Sequence, residues 1–264
     1  MIHLKNSQEI EELRTSALMV GDALAEVAKA IKPGITTLEL DKIAEDYIHS
    51  LNAKPAFKNY NGFPASLCIS LNEEVVHGIP SQKELKEGDI VSIDCGVNYG
   101  GWIGDSAYTF ALKGISDRSV ELLKTTKESL YIGIEQAKIG KRIGDLGHAI
   151  QEYCETRGFS IVRDLCGHGI GRNLHEDPEV PNFGRRGSGI RFREGMVLAV
   201  EPMVTEGKKE VVFESDGWTC RTLDRSMAAH FEHDIAITKD GPIILSSFDK
   251  IEEAINSNNN LFFI

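Results

Sequence analysis

The chain predicts an α+β fold in two pseudo-symmetric halves, each setting a pair of helices ahead of antiparallel strands. Apolar residues recur at helical spacing over 8–31 and 37–51, and again over 117–138 and 143–157. Short apolar and β-branched runs follow each pair, at 66–71, 90–95 and 105–112, then at 160–164, 196–201, 209–214 and 228–238. The chain also resembles itself at an offset of 106 to 107 residues. IKPGITTLELDKIAEDYI (31–48) aligns with AKIGKRIGDLGHAIQEYC (137–154), setting Gly34 on Gly140, Leu40 on Leu146, Asp46 on Glu152 and Tyr47 on Tyr153. KEGDIVSIDCG (86–96) aligns with REGMVLAVEPM (193–203), setting Gly88 on Gly195 and Asp94 on Glu201. Such a period is too long for a solenoid. It predicts one domain over 1–264, with repeats at about 8–112 and 117–238 sharing a core under a curved sheet, and a site where the halves meet.

Taken in order, the first helix is acidic and amphipathic, and the second places Ile43, Tyr47 and Leu51 on one face. GDIVSIDCGVNYGGWIGDSA (88–107) reads as a hairpin around a glycine-rich turn. A turn centred on Tyr99-Gly100 would set Asp94 directly opposite Asp105, with Cβ atoms about 4.5–5.5 Å apart. Two carboxylates placed so repel unless a cation lies between them. The second half repeats the helical pair and returns to strands. The last residues, 253–264, ending in SNNNLFFI, are expected to form a flexible tail.

Composition narrows the class. With 264 residues, 41% hydrophobic and 26% charged, the chain is globular and near the upper size for one core. No run approaches the roughly 18 apolar residues that span a membrane, and the N-terminus lacks a signal-peptide pattern. The five cysteines are scattered and form no CxxC, which favours a reducing, cytoplasmic setting. A net charge of −11 argues against a nucleic-acid partner, DNA above all. The local exception, GRRGSGIRFREG with Arg185, Arg186, Arg191 and Arg193, reads as a solvated loop, with contact to an anionic partner such as RNA the lesser alternative.

Four acids stand out because of where they sit. Asp94, Asp105 and Glu232 lie in strands of apolar and β-branched residues, and Glu201 interrupts the continuous apolar run of MVLAVEPMV. His168 lies in CGHGIGRNLHEDP, where Gly167, Gly169 and Gly171 allow a sharp bend or a close backbone approach. Singly, His168 reads as a turn residue and Glu232 as a solvent-facing one. Together, four carboxylates in one core are prohibitive without counter-charge. Two divalent cations balance them, and an oxygen-rich set with one imidazole suits Mn, Fe(II), Co or Zn.

VVHGIP, SIDCGVNYGGWIGDSA, CGHGIGRNLHEDP, MVLAVEPM and FEHDIAIT, in this order, resemble the type I methionine aminopeptidases, metalloproteases of the pita-bread fold. The resemblance runs from about residue 6 to 248. It implies that Asp94, Asp105, His168, Glu201 and Glu232 ligate two divalent ions, with Asp105 and Glu232 bridging them, and that His77 and His175 contact substrate. It further implies an apolar methionine pocket from Phe57, Tyr60, Phe63, Cys68, Leu174 and Trp218, with Phe57 where relatives often carry Cys. The implied reaction is removal of N-terminal methionine from peptides and nascent chains when the second residue is small. Glu201 would act as base, and His175 and His77 would stabilise the tetrahedral state. The other histidines, His3, His49, His148, His230 and His233, match no such role and read as surface groups or groups behind the ligands. The chain resembles the minimal bacterial form, and a cytoplasmic monomer with the ribosome as a further contact is the expectation.

Three rivals are weaker. Prolidase-type relatives carry a sizeable extra N-terminal domain. A non-catalytic protein on the same fold would have lost ligands, whereas all five positions are filled. A di-iron oxygenase places Glu-x-x-His on bundle helices, and the acids here lie on strands.

Overall fold

A computed structural model describes residues 2–264. The first helix, α1 (Ser7–Ala30), starts at a capping box: the Asn6 side chain accepts from the backbone N–H of Gln8 and Glu9, and Glu9 accepts from Asn6 N–H. The second, α2 (Thr37–Ser50), starts the same way with Thr36 and Glu39. Its buried stripe is Leu40, Ala44 and Ile48, so the expected face shifts by about one position: Ile43, Tyr47 and Leu51 lie at its partly buried flank. Five strands follow: β1 (Lys54–Pro55), β2 (Leu67–Leu71), β3 (Glu74–Val76), β4 (Ile90–Tyr99) and β5 (Trp102–Leu112).

The second half opens with α3 (Asp117–Ile134) and α4 (Ile143–Glu155). Its strands are β6 (Ser160–Ile161), β7 (Gly167–Gly169), β8 (Glu176–Val180), β9 (Val197–Val200), β10 (Met203–Thr205), β11 (Val211–Phe213), β12 (Cys220–Thr222), β13 (Ala228–His230), β14 (His233–Thr238) and β15 (Gly241–Ile244). The run expected over 228–238 is thus two strands parted by Phe231 and Glu232. The equivalences read from the repeat carry into the backbone. Gly34 and Gly140 both take positive φ, 86° and 96°, and so do Gly88 and Gly195, each at 85°. Leu40 and Leu146 are both fully buried.

Every strand pair is antiparallel. Of four sheets among the described residues, one contains β1-β4-β5 with β2 also on β4, a second runs β15-β14-β9-β7-β8, and two three-stranded sheets run β13-β10-β6 and β11-β12-β3. Helix α1 packs on β4 and β5, and α3 on β9, β10 and β13, so one continuous core spans both halves. The sheets are joined along β5. Asp105 N–H donates to Asp234 Oδ2 (2.7 Å), Ser106 Oγ to the Glu232 carbonyl (2.6 Å), and Glu232 N–H to the Ala107 carbonyl (3.0 Å). Thr109 Oγ1 donates to the His230 carbonyl (2.7 Å) and accepts from His230 N–H (2.9 Å).

Two expectations are corrected. The hairpin turns at Gly100-Gly101, not Tyr99-Gly100, pairing Tyr99 with Trp102 and Gly96 with Asp105. Both glycines have positive φ, 61° and 82°, as a two-residue hairpin turn matching strand twist requires. Asp94 therefore faces Ala107 and stands diagonal to Asp105, still on its face of the sheet. The tail is not loose: residues 249–257 form α5 (Asp249–Ser257), and β16 (Leu261–Phe262) adds to β5. Asn258 Nδ2 donates to the Ala28 and Ile31 carbonyls, both at 2.8 Å, which satisfies carbonyls left open at the end of α1.

Candidate metal centre and substrate cleft

The five acidic and imidazole groups picked out in sequence converge from four segments. Asp94 and Asp105 come from the β4–β5 hairpin, His168 from β7, Glu201 from the exit of β9, and Glu232 from the bend between β13 and β14. Ligand atoms of Asp105, His168 and Glu232 lie within 4.8 Å of one another. His168 Nε2 stands 3.9 Å from Asp105 Oδ2 and 3.7 Å from Glu201 Oε1. Gly167 makes this approach possible. A Cβ there would lie 2.3 Å from the Ala199 carbonyl oxygen and 3.3 Å from Glu201 Cγ.

The electrostatics are those of a cation site. Burial pushes Asp94 up to about 7 and Glu201 up to about 8. Burial, reinforced by Asp94, Asp234 and Glu201, holds Asp105 well above the usual carboxylate range; burial with Asp105, Glu201 and Asp94 does the same to Glu232. Burial, with His175 adding to it, lowers His168 to about 3, so the imidazole is neutral and its distances to the acids are not ion pairs. Asp94 Oδ1, Asp105 Oδ1 and Glu232 Oε1 are buried without a hydrogen-bond partner. Orphaned carboxylate oxygens around a neutral imidazole fit divalent cations, whose binding displaces the protons that burial otherwise retains.

The cluster floors a cleft lined by Phe57, Tyr60, Phe63, Cys68, Leu174 and Trp218, with His77 and His175 beside the acids. Cys68 is the cross-strand partner of Asp94, which sets the apolar wall against the acids. Phe63 and Trp218 meet edge to face at 5.2 Å. Phe57 leans on Gly96, where a Cβ would come within 2.6 Å of its ring. Tyr60 hydroxyl and His175 Nδ1 are hydrogen-bonded at 2.9 Å, and the His168 and His175 rings meet edge to face at 4.3 Å. His77 sits at φ 60°, a left-handed conformation that costs of order 1–3 kcal/mol and persists where surrounding contacts enforce it. Here Gly78 supplies them, its N–H donating to Ser70 Oγ (3.1 Å) and its carbonyl accepting from Ile69 N–H (2.8 Å). Burial lowers the His77 imidazole to about 4.

Two groups lie behind this wall: His230, which the sequence left as either a surface group or one behind the metal-binding side chains, and Asp234, which sequence reasoning missed. His230 and Asp234 are both 1% exposed. Asp234 Oδ2 holds the backbone of Asp105, and His230 Nε2 stands 3.6 Å from Glu201 Oε2 and 3.9 Å from Glu232 Oε2. A signal existed, since residues 230, 232 and 234 of an extended chain share one face. The remaining histidine of that segment, His233, turns away, stacking on Phe248 at 3.8 Å between Ser246 and Tyr131. Arg185, Arg186, Arg191 and Arg193 are all exposed, away from the cleft, with Arg186 paired to Glu152. Among the described residues no helix is long and apolar enough to cross a membrane.

Comparison with known proteins agrees with this geometry. The sequence model of metallopeptidase family M24 matches residues 11–239. A methionine aminopeptidase of Clostridium acetobutylicum is 53% identical over 247 residues, covering 93% of this chain and 99% of that one. Methionine aminopeptidase 1 of Bacillus subtilis is 49% identical over 246 residues, covering 93% and 99%. Among solved structures, methionine aminopeptidase from Thermotoga maritima superposes with a TM-score of 0.92 at 47% identity, covering 94% of this chain and all of that one. The prolidase of Pyrococcus horikoshii shares the fold alone, at TM-score 0.77 and 23% identity. A buried cluster able to hold metal, set in a pita-bread fold, and full-length likeness at about half identity place this chain in metallopeptidase family M24, among the methionine aminopeptidases.

Proposed function

We propose that this chain removes methionine from the N-terminus of peptides and nascent proteins whose second residue is small. The observation that carries this reading is a set of carboxylates with orphaned oxygens lining an apolar, aromatic-walled cleft. Asp94, Asp105, His168, Glu201 and Glu232 would hold two divalent ions of the Mn, Fe(II), Co or Zn kind. When bound, such ions supply Lewis acidity and make water a nucleophile near neutral pH.

The rest falls to the chain's own residues. Phe57, Phe63, Trp218, Cys68 and Leu174 take the methionine side chain, whose flexible thioether suits an aromatic and sulfur-lined wall. Asp94, in the cleft lining, attracts the free α-amine, which restricts cleavage to the first peptide bond. Glu201 accepts the proton of the attacking water and returns it to the leaving amine. His175, oriented by the Tyr60 hydroxyl, and His77, kept neutral by burial, hydrogen-bond the scissile amide and its tetrahedral oxyanion.

The test is release of free methionine from Met-Ala-Ser and Met-Leu-Ser, after chelation and after restoring Co(II), Mn(II), Fe(II) or Zn(II) singly. Release from Met-Ala-Ser alone, abolished by chelator and recovered with metal, is the expected result. Folded, metal-binding protein that releases none with any ion would overturn it.

A further inference from the structure

His230 is buried and left without any hydrogen bond from its ring. Neither ring nitrogen has a partner, although a neutral imidazole always carries one N–H and an orphaned buried donor costs about 1–3 kcal/mol. Its backbone is fixed from two sides. Thr109 Oγ1 grips both backbone groups of the residue, at 2.9 and 2.7 Å, and Met203 pairs with it across β10. The acceptors within reach are Glu201 Oε2 at 3.6 Å and Glu232 Oε2 at 3.9 Å.

Glu201 is the nearer, and its position needs a guide. It leaves β9 just before Pro202, and Asn182 Nδ2 holds its backbone carbonyl at 2.9 Å. Its carboxylate reaches between two imidazoles, with Oε1 3.7 Å from His168 Nε2 and Oε2 facing His230. We propose that His230 is a positioning residue for Glu201: its Nε2–H donates to Glu201 Oε2, fixing the carboxylate's rotation so that Oε1 faces the cations and the reacting water. Hydrogen bonds of this kind are often long in the unliganded enzyme and tighten in the working complex. The proposal rests on Glu201 as proton acceptor.

The experiment compares wild type, His230→Gln and His230→Leu, loaded with Co(II). It reads the Co(II) absorption bands, Co(II) affinity by calorimetry, kcat and KM on Met-Ala-Ser, and the melting of the metal-free protein. Leu should lower kcat by about 10–100-fold, with KM changed by less than about twofold, and should alter the Co(II) bands. Gln offers an amide N–H to the same acceptor and should restore both. Wild-type kcat and bands in the Leu variant would overturn the proposal. Equal loss of Co(II) affinity in both variants would make the ring itself an ion ligand and overturn it as well. Should the Leu variant not fold, Gln decides alone: near wild-type kcat and unaltered bands support the role, and a fall in either sinks it. Wild-type protein that binds Co(II) but releases no methionine would defeat the functional reading instead, while the Co(II) bands still report the positioning.

Discussion

Substituting Gly167→Ala tests whether the spacing between β7 and β9 sets the metal centre. A Cβ at this position would stand 2.3 Å from the Ala199 carbonyl oxygen, whereas such carbon–oxygen contacts close at about 3.3 Å. The obstacle is backbone, so the strands must part by about 1 Å, carrying His168 away from Glu201 and Asp105. Overpacking of this size costs about 1–3 kcal/mol, which for a chain of this length lowers the melting temperature by roughly 2–6 °C. Function should suffer more, because a misplacement near 1 Å in a catalytic constellation costs about 10²-fold in rate. Two readouts are needed: Co(II) affinity by calorimetry and kcat/KM on Met-Ala-Ser, each set against the melting curve of the metal-free protein. A variant that loses stability yet keeps wild-type affinity and turnover would refute the idea that this contact places His168.

Removing residues 258–264 should destabilise the protein by about 2–4 kcal/mol, from the lost Leu261 burial and the Asn258 hydrogen bonds to the end of α1. An unchanged urea midpoint would show that the segment contributes nothing. Burial first, then His230 and His175, lowers His77 to about 4 from its ordinary 6.5. Between those values the unfolded chain binds a proton that the folded chain refuses, so stability falls as pH drops through that window. His77→Asn should flatten this slope in urea titrations at pH 7 and pH 5, and a wild-type–variant difference independent of pH would contradict it.

The parts of the fold that depend on local pattern were legible. Helical spacing located α1 to α4, and β-branched runs located the central strands. What failed depended on partners far away in sequence. The hairpin register turned on which two of its residues take positive φ, and Gly100-Gly101 wins because both lack a Cβ. The C-terminal segment looked polar and loose because the groups it satisfies, the carbonyls of Ala28 and Ile31, lie some 230 residues upstream. The acids of the site were visible because carboxylates interrupt apolar strands. His230 and Asp234 do so as well, but the sequence left His230 between a surface and a buried reading and passed over Asp234, whose partner Asp105 lies 129 residues away in the chain.

The seam along β5 also bears on how such a site could arise. Asp94 and Asp105 come from the first repeat, and His168, Glu201 and Glu232 from the second, so neither repeat alone carries all five groups proposed to hold metal. Asp94 and Glu201 occupy equivalent places in the two repeats. A half-length forebear would therefore have contributed the same acid twice, by pairing with its own copy across this seam. Fusion into one chain would then free each copy to diverge, so that the remaining groups need not be duplicated.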